Sequence, residues 1–127
     1  MEIFAYGTLC DPETAGTVLD EFEYDGSATL HGLHRVEGEY PTLAPGGETD
    51  GLVLVTDDVA ALDRYEGVDR GLFVRVPIPL DDGGTVQTYV GDPKPLGAPA
   101  SWPGDGPFRE RVATSVADED VFVRGSP

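Results

Sequence analysis

The sequence predicts an α+β domain around a mainly antiparallel sheet, and three observations carry that expectation. At 127 residues the chain has the length of one domain, 1–127, with one real core. Short alternating apolar runs are punctuated by turn residues, most clearly Asp81-Asp82-Gly83-Gly84 between two such runs. Helix-starting signals occur at Asp11-Pro12 and at Thr56-Asp57-Asp58, between strands instead of alternating regularly with them. There is no internal repeat.

Glu2-Ile3-Phe4-Ala5-Tyr6 reads as an N-terminal strand that ends at Gly7, followed by a loop through Cys10. Asp11 caps a first helix, with Pro12 at its first position and Glu13 at the positive end of its dipole. Val18, Leu19 and Phe22 supply its apolar face, which places its end near residues 24–26. Residues 27–36 read as a strand bulged at Gly32. The Pro and Gly content of 40–47 predicts a loop. Gly51 to Val55 reads as a strand apolar on both faces. A second helix starts at Thr56, runs to Glu66 and stops at Gly67, a suitable left-handed terminator. Leu72, Val74, Val76 and Ile78 form the apolar side of a strand, and Thr85 to Val90 returns beside it. The segment 93–107 holds five of the eleven prolines and predicts an irregular excursion. A short helix on Phe108, Val112 and Val116 and a last strand at 121–124 complete the chain.

The charge excludes whole classes of partner. There are 24 Asp+Glu against 8 Lys+Arg, a formal charge of -16. Such a surface repels phosphates and anionic lipids, so neither nucleic acid nor a membrane is an expected partner. No run of about 20 apolar residues is present. Met1-Glu2-Ile3-Phe4 does not read as a secretory leader, which makes a cytoplasmic location the expectation. The acids are dispersed along the chain, Lys94 is the one lysine, and the other seven cations are arginines. Dispersed self-repulsion of this size is relieved by molar salt, so the expected setting is the cytoplasm of a salt-accumulating halophile. The single Cys10 forms no intramolecular disulfide and builds no cysteine zinc site. It reads as a small buried residue. His31 and His34 are three apart on a strand and face opposite sides, so no metal site is expected. Trp102, among prolines, reads as a packing anchor.

Two places carry chemistry. Val59, Leu62 and Glu66 share one stripe of the second helix, so a carboxylate occupies an apolar position. Glu66 also lies at the negative end of the helix dipole. Burial and dipole both favour the protonated acid, and an acid tuned toward neutrality suits a general base. A last-turn glutamate pointing to water, or paired with Arg64, Arg70 or Arg75, is the competing reading. The second place is Tyr6-Gly7-Thr8-Leu9. A strand turning through glycine into a helix leaves backbone N–H groups free for a carboxylate or phosphate. Strand–glycine–helix turns are common, and this one alone does not require a ligand.

At these two places the sequence resembles the γ-glutamylcyclotransferase-like family. Ala5-Tyr6-Gly7-Thr8-Leu9 resembles its Tyr-Gly-Ser/Thr-Leu loop, Tyr40-Pro41 its central Tyr-Pro, and Gly51-Leu52-Val53 the strand that follows. Leu62-Asp63-Arg64-Tyr65-Glu66-Gly67 resembles its Leu-Asp-x-Tyr-Glu-Gly helix end, Phe73-Val74-Arg75-Val76 its Tyr-x-Arg strand, and Thr88-Tyr89-Val90 its late aromatic strand. The ordered set covers about residues 2–92.

The resemblance implies a mixed, mainly antiparallel small β-barrel or roll with flanking helices. It implies a cofactor-free transferase or lyase reaction on a small γ-glutamyl amine or peptide. The substrate's α-amine attacks its own γ-carbonyl and 5-oxoproline is released. Glu66 takes the general acid/base role, while Tyr6, Gly7, Thr8, Leu9 and Tyr89 bind the substrate. One departure stands out: Phe73 replaces the tyrosine of many members. The alternatives are removal of a γ-glutamyl group from another metabolite, and a non-catalytic domain that binds a carboxylate-bearing small molecule or a protein partner. The oligomeric state is left open by all three readings.

Overall fold

A computed structural model of the chain describes residues 1–125. Six strands form one sheet: β1 (Glu2–Ala5), β2 (Glu23–Val36), β3 (Thr42–Val55), β4 (Phe73–Pro79), β5 (Thr85–Gly91) and β6 (Phe122–Gly125). Four helices flank it: α1 (Pro12–Val18), α2 (Val59–Tyr65), α3 (Pro93–Leu96) and α4 (Phe108–Asp118). The strand order is β4-β5-β1-β3-β2-β6. Every pair is antiparallel except β1 with β5, which run parallel. The sheet is mixed and mainly antiparallel, in an α+β fold.

The two ends of that order meet. Leu80, just past β4, bridges Val123 of β6, the Asp81 N–H donates to the Val123 carbonyl at 3.0 Å, and Arg124 pairs with Asp81 at 2.8 Å. The sheet therefore curls into a half-barrel with its edges pinned together. The interior packs Phe4, Leu30, Leu33, Leu43, Ile78, Val86, Val90 and Val123, with Trp102 and Val112 closing it from α4 and the segment before it. A second core lies on the outer face beneath α1 and α2, formed by Ile3, Ala5, Leu54, Leu62, Phe73 and Tyr89 among others. The period-two alternation of strands assigns β1 residues to both: Phe4 and Tyr6 face the barrel core, Ile3 and Ala5 the helices.

Three elements differ from the sequence expectations. α1 stops at Val18 and not near residue 24, because Glu23 and Tyr24 pair with Val55 and Leu54 and start β2. The segment 42–47 is not a loop: Thr42 to Pro45 pair with Val36 to Leu33, which makes β3 fourteen residues long. Gly46 and Gly47 have positive φ there and together face the single Gly32 of β2, so the extra residue of this bulge belongs to β3. The Pro-rich segment contains the one-turn helix α3, capped by the Asp92 side chain. The register shift beside Gly32 carries its extra residue on β3 and not, as expected, on β2, whereas the 81–84 turn, α4 and β6 lie where the sequence places them. Phe73, expected on the open side of its strand, is buried against α2. No helix among the described residues is long and apolar enough to cross a membrane.

Candidate active site

Glu66 follows the last residue of α2, and its N–H completes the final turn by donating to the Leu62 carbonyl at 2.9 Å. Leu62 on the same stripe is fully buried, so the stripe is seated in the outer core and carries Glu66 inward with it. Gly67 then terminates the helix with φ 70°. Burial alone pushes the Glu66 carboxyl from an ordinary 4.5 up to about 7. No cation offsets it: Arg75 is engaged by Asp63 at 3.0 Å, and no salt bridge to Glu66 occurs among the described residues.

The Gly7 turn lies at the C-terminal end of β1. A single 3₁₀ turn, Thr8–Cys10, links β1 to α1. The N–H groups of Cys10 and Asp11 are used by the Gly7 and Thr8 carbonyls, both at 3.1 Å. Those of Gly7, Thr8 and Leu9 have no protein acceptor among the described residues. The turn is held from three sides. Tyr24 donates its hydroxyl to the Leu9 carbonyl at 2.6 Å, Arg35 donates to the Tyr6 carbonyl at 2.8 Å, and the Thr8 and Tyr65 hydroxyls are 2.8 Å apart.

The structure brings Tyr6, Gly7, Thr8, Leu9, Glu66 and Tyr89 to the wall of one pocket of about 350 Å³. That volume suits a small metabolite, and the wall mixes apolar surface with few polar groups. Tyr6 donates its hydroxyl to the Tyr89 carbonyl, and Tyr89 donates its own to Asp63 at 2.7 Å. Burial, and secondarily the charge of Glu66, raise the Tyr6 pKa; burial and the bond to Asp63 raise that of Tyr89. Both hydroxyls therefore stay protonated, and the two rings form a fixed floor.

Tyr40, Pro41, Tyr65, Arg70, Leu72 and Phe73 also line the pocket and were not expected as site residues. Tyr40-Pro41 was visible as a motif, and its rigid dipeptide precedes β3. Arg70 was considered only as a partner of Glu66, and its pocket position follows from the left-handed Gly67 that redirects the chain after α2. Cys10 does not line the pocket. Its thiol donates to the Ala5 carbonyl at 3.2 Å and burial raises its pKa, which makes it a poor nucleophile. His31 stacks on Phe122, and His34 lies 3.0 Å from the Gly46 carbonyl, each held by a different partner. Trp102 is buried edge-on to Phe108 and acts in packing.

The family model described as gamma-glutamyl cyclotransferase, AIG2-like, matches residues 3–105. An AIG2-like protein C from Arabidopsis thaliana is 38% identical over 99 residues, covering 70% of this chain and 58% of that one. A solved gamma-glutamyl cyclotransferase superposes with a TM-score of 0.58 over 72% of this chain and 66% of that one, at 20% identity, a likeness of fold alone. The solution structure of an Arabidopsis thaliana protein gives 0.55 at 29% identity, over 86% of this chain and 78% of that one. The chain spans 58% and 59% of the length of two curated relatives from that plant.

Proposed function

The chain belongs to the gamma-glutamyl cyclotransferase, AIG2-like family, and from that premise we propose that it releases 5-oxoproline from a small γ-glutamyl amine or peptide, with Glu66 as the general acid/base. The observation that carries this reading is the Glu66 carboxyl: it lines a metabolite-sized pocket, has no cation partner among the described residues and is raised to about 7 by burial.

The chemistry follows from that value. The substrate's α-amine is an ammonium in neutral solution and is not a nucleophile until it loses a proton. A carboxylate with a pKa near 7 is a far better acceptor than one at 4.5 and is still substantially ionised at pH 7–8. The freed amine attacks the γ-carbonyl carbon, a ring C–N bond forms, and the C–N bond to the leaving amine breaks. Glu66 passes its proton to that leaving nitrogen and returns to the carboxylate, and the second proton, shed by the ring nitrogen as the lactam forms, also leaves with the amine, which departs as an ammonium. No water is consumed.

Cyclisation needs a folded substrate. The free N–H groups of Gly7, Thr8 and Leu9 suit the α-carboxylate, and the fixed rings of Tyr6 and Tyr89 restrict the aliphatic chain. The test is 5-oxoproline release from a panel of γ-glutamyl compounds in high KCl, with wild type beside Glu66→Gln. The variant is expected to lose at least about 100-fold in kcat, the lower bound for a positioned acid/base. Equal rates would remove Glu66 from the mechanism.

A second reading rests on Phe73. It lines the pocket where many family members supply a tyrosine hydroxyl, so the wall has one polar contact fewer. A carboxylate-binding domain without turnover would show ligand binding and no 5-oxoproline from any compound of the panel.

A further inference from the structure

Among the pocket residues, Arg70 is the one cationic side chain, and nothing in the proposed proton transfer uses it. With 24 acids against 8 bases, an arginine has many potential partners. Arg35 pairs with Glu37, Arg75 with Asp63 and Arg124 with Asp81. Arg109 and Arg111 donate to the backbone carbonyls of Arg75 and Trp102. The side chains of Arg64 and Arg70 have neither an ion pair nor a hydrogen bond among the described residues, and of these two only Arg70 lines the pocket, although Asp69 and the pocket acid Glu66 are close to it in sequence. Nor does its charge offset that of Glu66, whose pKa is set by burial alone.

The guanidinium lies against the turn that follows α2. Gly67 is left-handed at φ 70°, and a Cβ there would meet Arg70 Nη2 at 3.0 Å and Leu72 Cδ1 at 2.9 Å. The arginine fork thus lies over the bare backbone of Gly67, the residue after Glu66, on the pocket wall. A guanidinium presents planar, paired donors that match a carboxylate and remain charged at any working pH. The pocket then has two anion-receptive features on different segments: the N–H groups of Gly7 to Leu9 and the Arg70 fork. A γ-glutamyl amino acid carries two carboxylates, one on the glutamyl end and one on the leaving amine.

We infer that Arg70 is a specificity residue that binds a carboxylate on the leaving amine, so that the protein selects γ-glutamyl amino acids over γ-glutamyl amines lacking that group. This deepens the cyclotransferase reading and rests on it for the reaction, though not for the recognition of the anion.

The experiment uses γ-glutamyl-alanine and γ-glutamyl-alaninamide, which differ only in the charge on the leaving amine. 5-Oxoproline release and ligand binding by calorimetry are both measured in high KCl, for wild type, Arg70→Gln and Arg70→Lys. Wild type is expected to favour the acid over the amide by about 10- to 100-fold in kcat/KM, the range for a hydrogen-bonded charge pair. Arg70→Gln should lose that preference because its kcat/KM falls far more for the acid than for the amide. Arg70→Lys should keep part of the preference.

Equal use of both compounds by wild type overturns the proposal. So does an Arg70→Gln variant weakened equally toward both, which would place Arg70 on the shared glutamyl carboxylate. Absence of turnover, with binding that favours the acid in wild type and not in Arg70→Gln, supports the anion site and refutes the cyclotransferase reading. Absence of both binding and turnover refutes both.

Discussion

Replacing Glu66 by Gln should make the protein more stable above neutral pH and much less active, and the size of the first effect follows from the site. The folded protein holds the Glu66 proton up to about pH 7, whereas the unfolded chain releases it near 4.5. Between those values the folded state binds the extra proton, so its stability falls as pH rises. The contribution is complete below about pH 4.5 and gone above about pH 7. At 1.36 kcal/mol per pH unit the whole span is worth about 3 kcal/mol, of which about 2 lies above pH 5.5. Gln has nearly the same shape and no charge to bury, so this dependence disappears in the variant. The assay is denaturant unfolding of both proteins in 2 M KCl at half-unit steps from pH 5.5 to 8.5. The difference in unfolding free energy should move by about 2 kcal/mol in favour of Glu66→Gln across that window, which corresponds to about 6–10 °C in Tm for a chain of this size. Any cost of placing the Gln amide in the pocket is independent of pH and shifts the curve without tilting it. A difference that stays flat with pH would mean that Glu66 is ionised and solvated in the folded protein, and the base argument would fail with it. The same titration should appear as an acidic limb near pH 7 in kcat/KM.

Four other outcomes are expected. The Tm should climb steeply between about 0.1 and 2 M KCl, because the range of charge–charge repulsion contracts from about 10 Å to below 3 Å; a flat thermal-melt series would refute the salt adaptation. Gly67→Ala and Gly71→Ala impose the same left-handed strain of about 1–2 kcal/mol, at φ 70° and 74°, but only at Gly67 would the new Cβ crowd neighbours. Gly67→Ala should therefore be the more destabilising in urea titration and should alone impair activity, by displacing Arg70 and Leu72. Thr42→Val should cost about 2–4 kcal/mol in the same titration, since the buried Thr42 hydroxyl both accepts from the Gly91 N–H at 2.7 Å and donates to its carbonyl at 3.2 Å. Asp63→Asn should raise KM more than it lowers stability, because Tyr89 and Arg75 both donate to Asp63 Oδ1 and its charge holds the ring that floors the pocket; an unchanged KM would show that Tyr89 needs no such support.

The α+β class and the residues that meet at the candidate pocket were legible in the sequence because their signals are local. Glu66 stands out by occupying the next position of a stripe whose earlier member, Leu62, is buried, and Gly7 stands out because a glycine closes an apolar run. What failed depends on pairing across the chain. Phe22 continues the apolar spacing of α1, but the residues after it gain more from β3 than from another helical turn: Tyr24 pairs with Leu54, and its hydroxyl reaches the Leu9 carbonyl. Pro45 and the two glycines after it look like a loop in isolation. Opposite the single Gly32 the two glycines form a bulge in the long hairpin, where a missing N–H beside it and positive φ are tolerated. Arg70 was visible only as a possible partner for Glu66, because it lies beyond the left-handed Gly67 that ends α2, outside any periodic element.

The arithmetic of charge and the architecture of the pocket meet at this arginine. A surface of -16 repels an anionic metabolite in dilute buffer and would slow its approach. In molar salt that field reaches only about 3 Å, so it neither hinders nor steers. Recognition of an anion under those conditions has to come from groups in direct contact with it. The pocket offers two kinds, the unpaired N–H groups of the Gly7 turn and a guanidinium lying over Gly67. Both survive screening because they act at hydrogen-bond distance. A chain that spends its acids on solvation can keep a cationic pocket wall only if no acid pairs with that cation, and Arg70 is the pocket residue where this holds. High salt should therefore raise the rate for a γ-glutamyl amino acid by removing the surface barrier, while leaving the acid-over-amide preference nearly constant. A preference that collapses with KCl would mean that the anion is sensed at a distance and that Arg70 does not touch it.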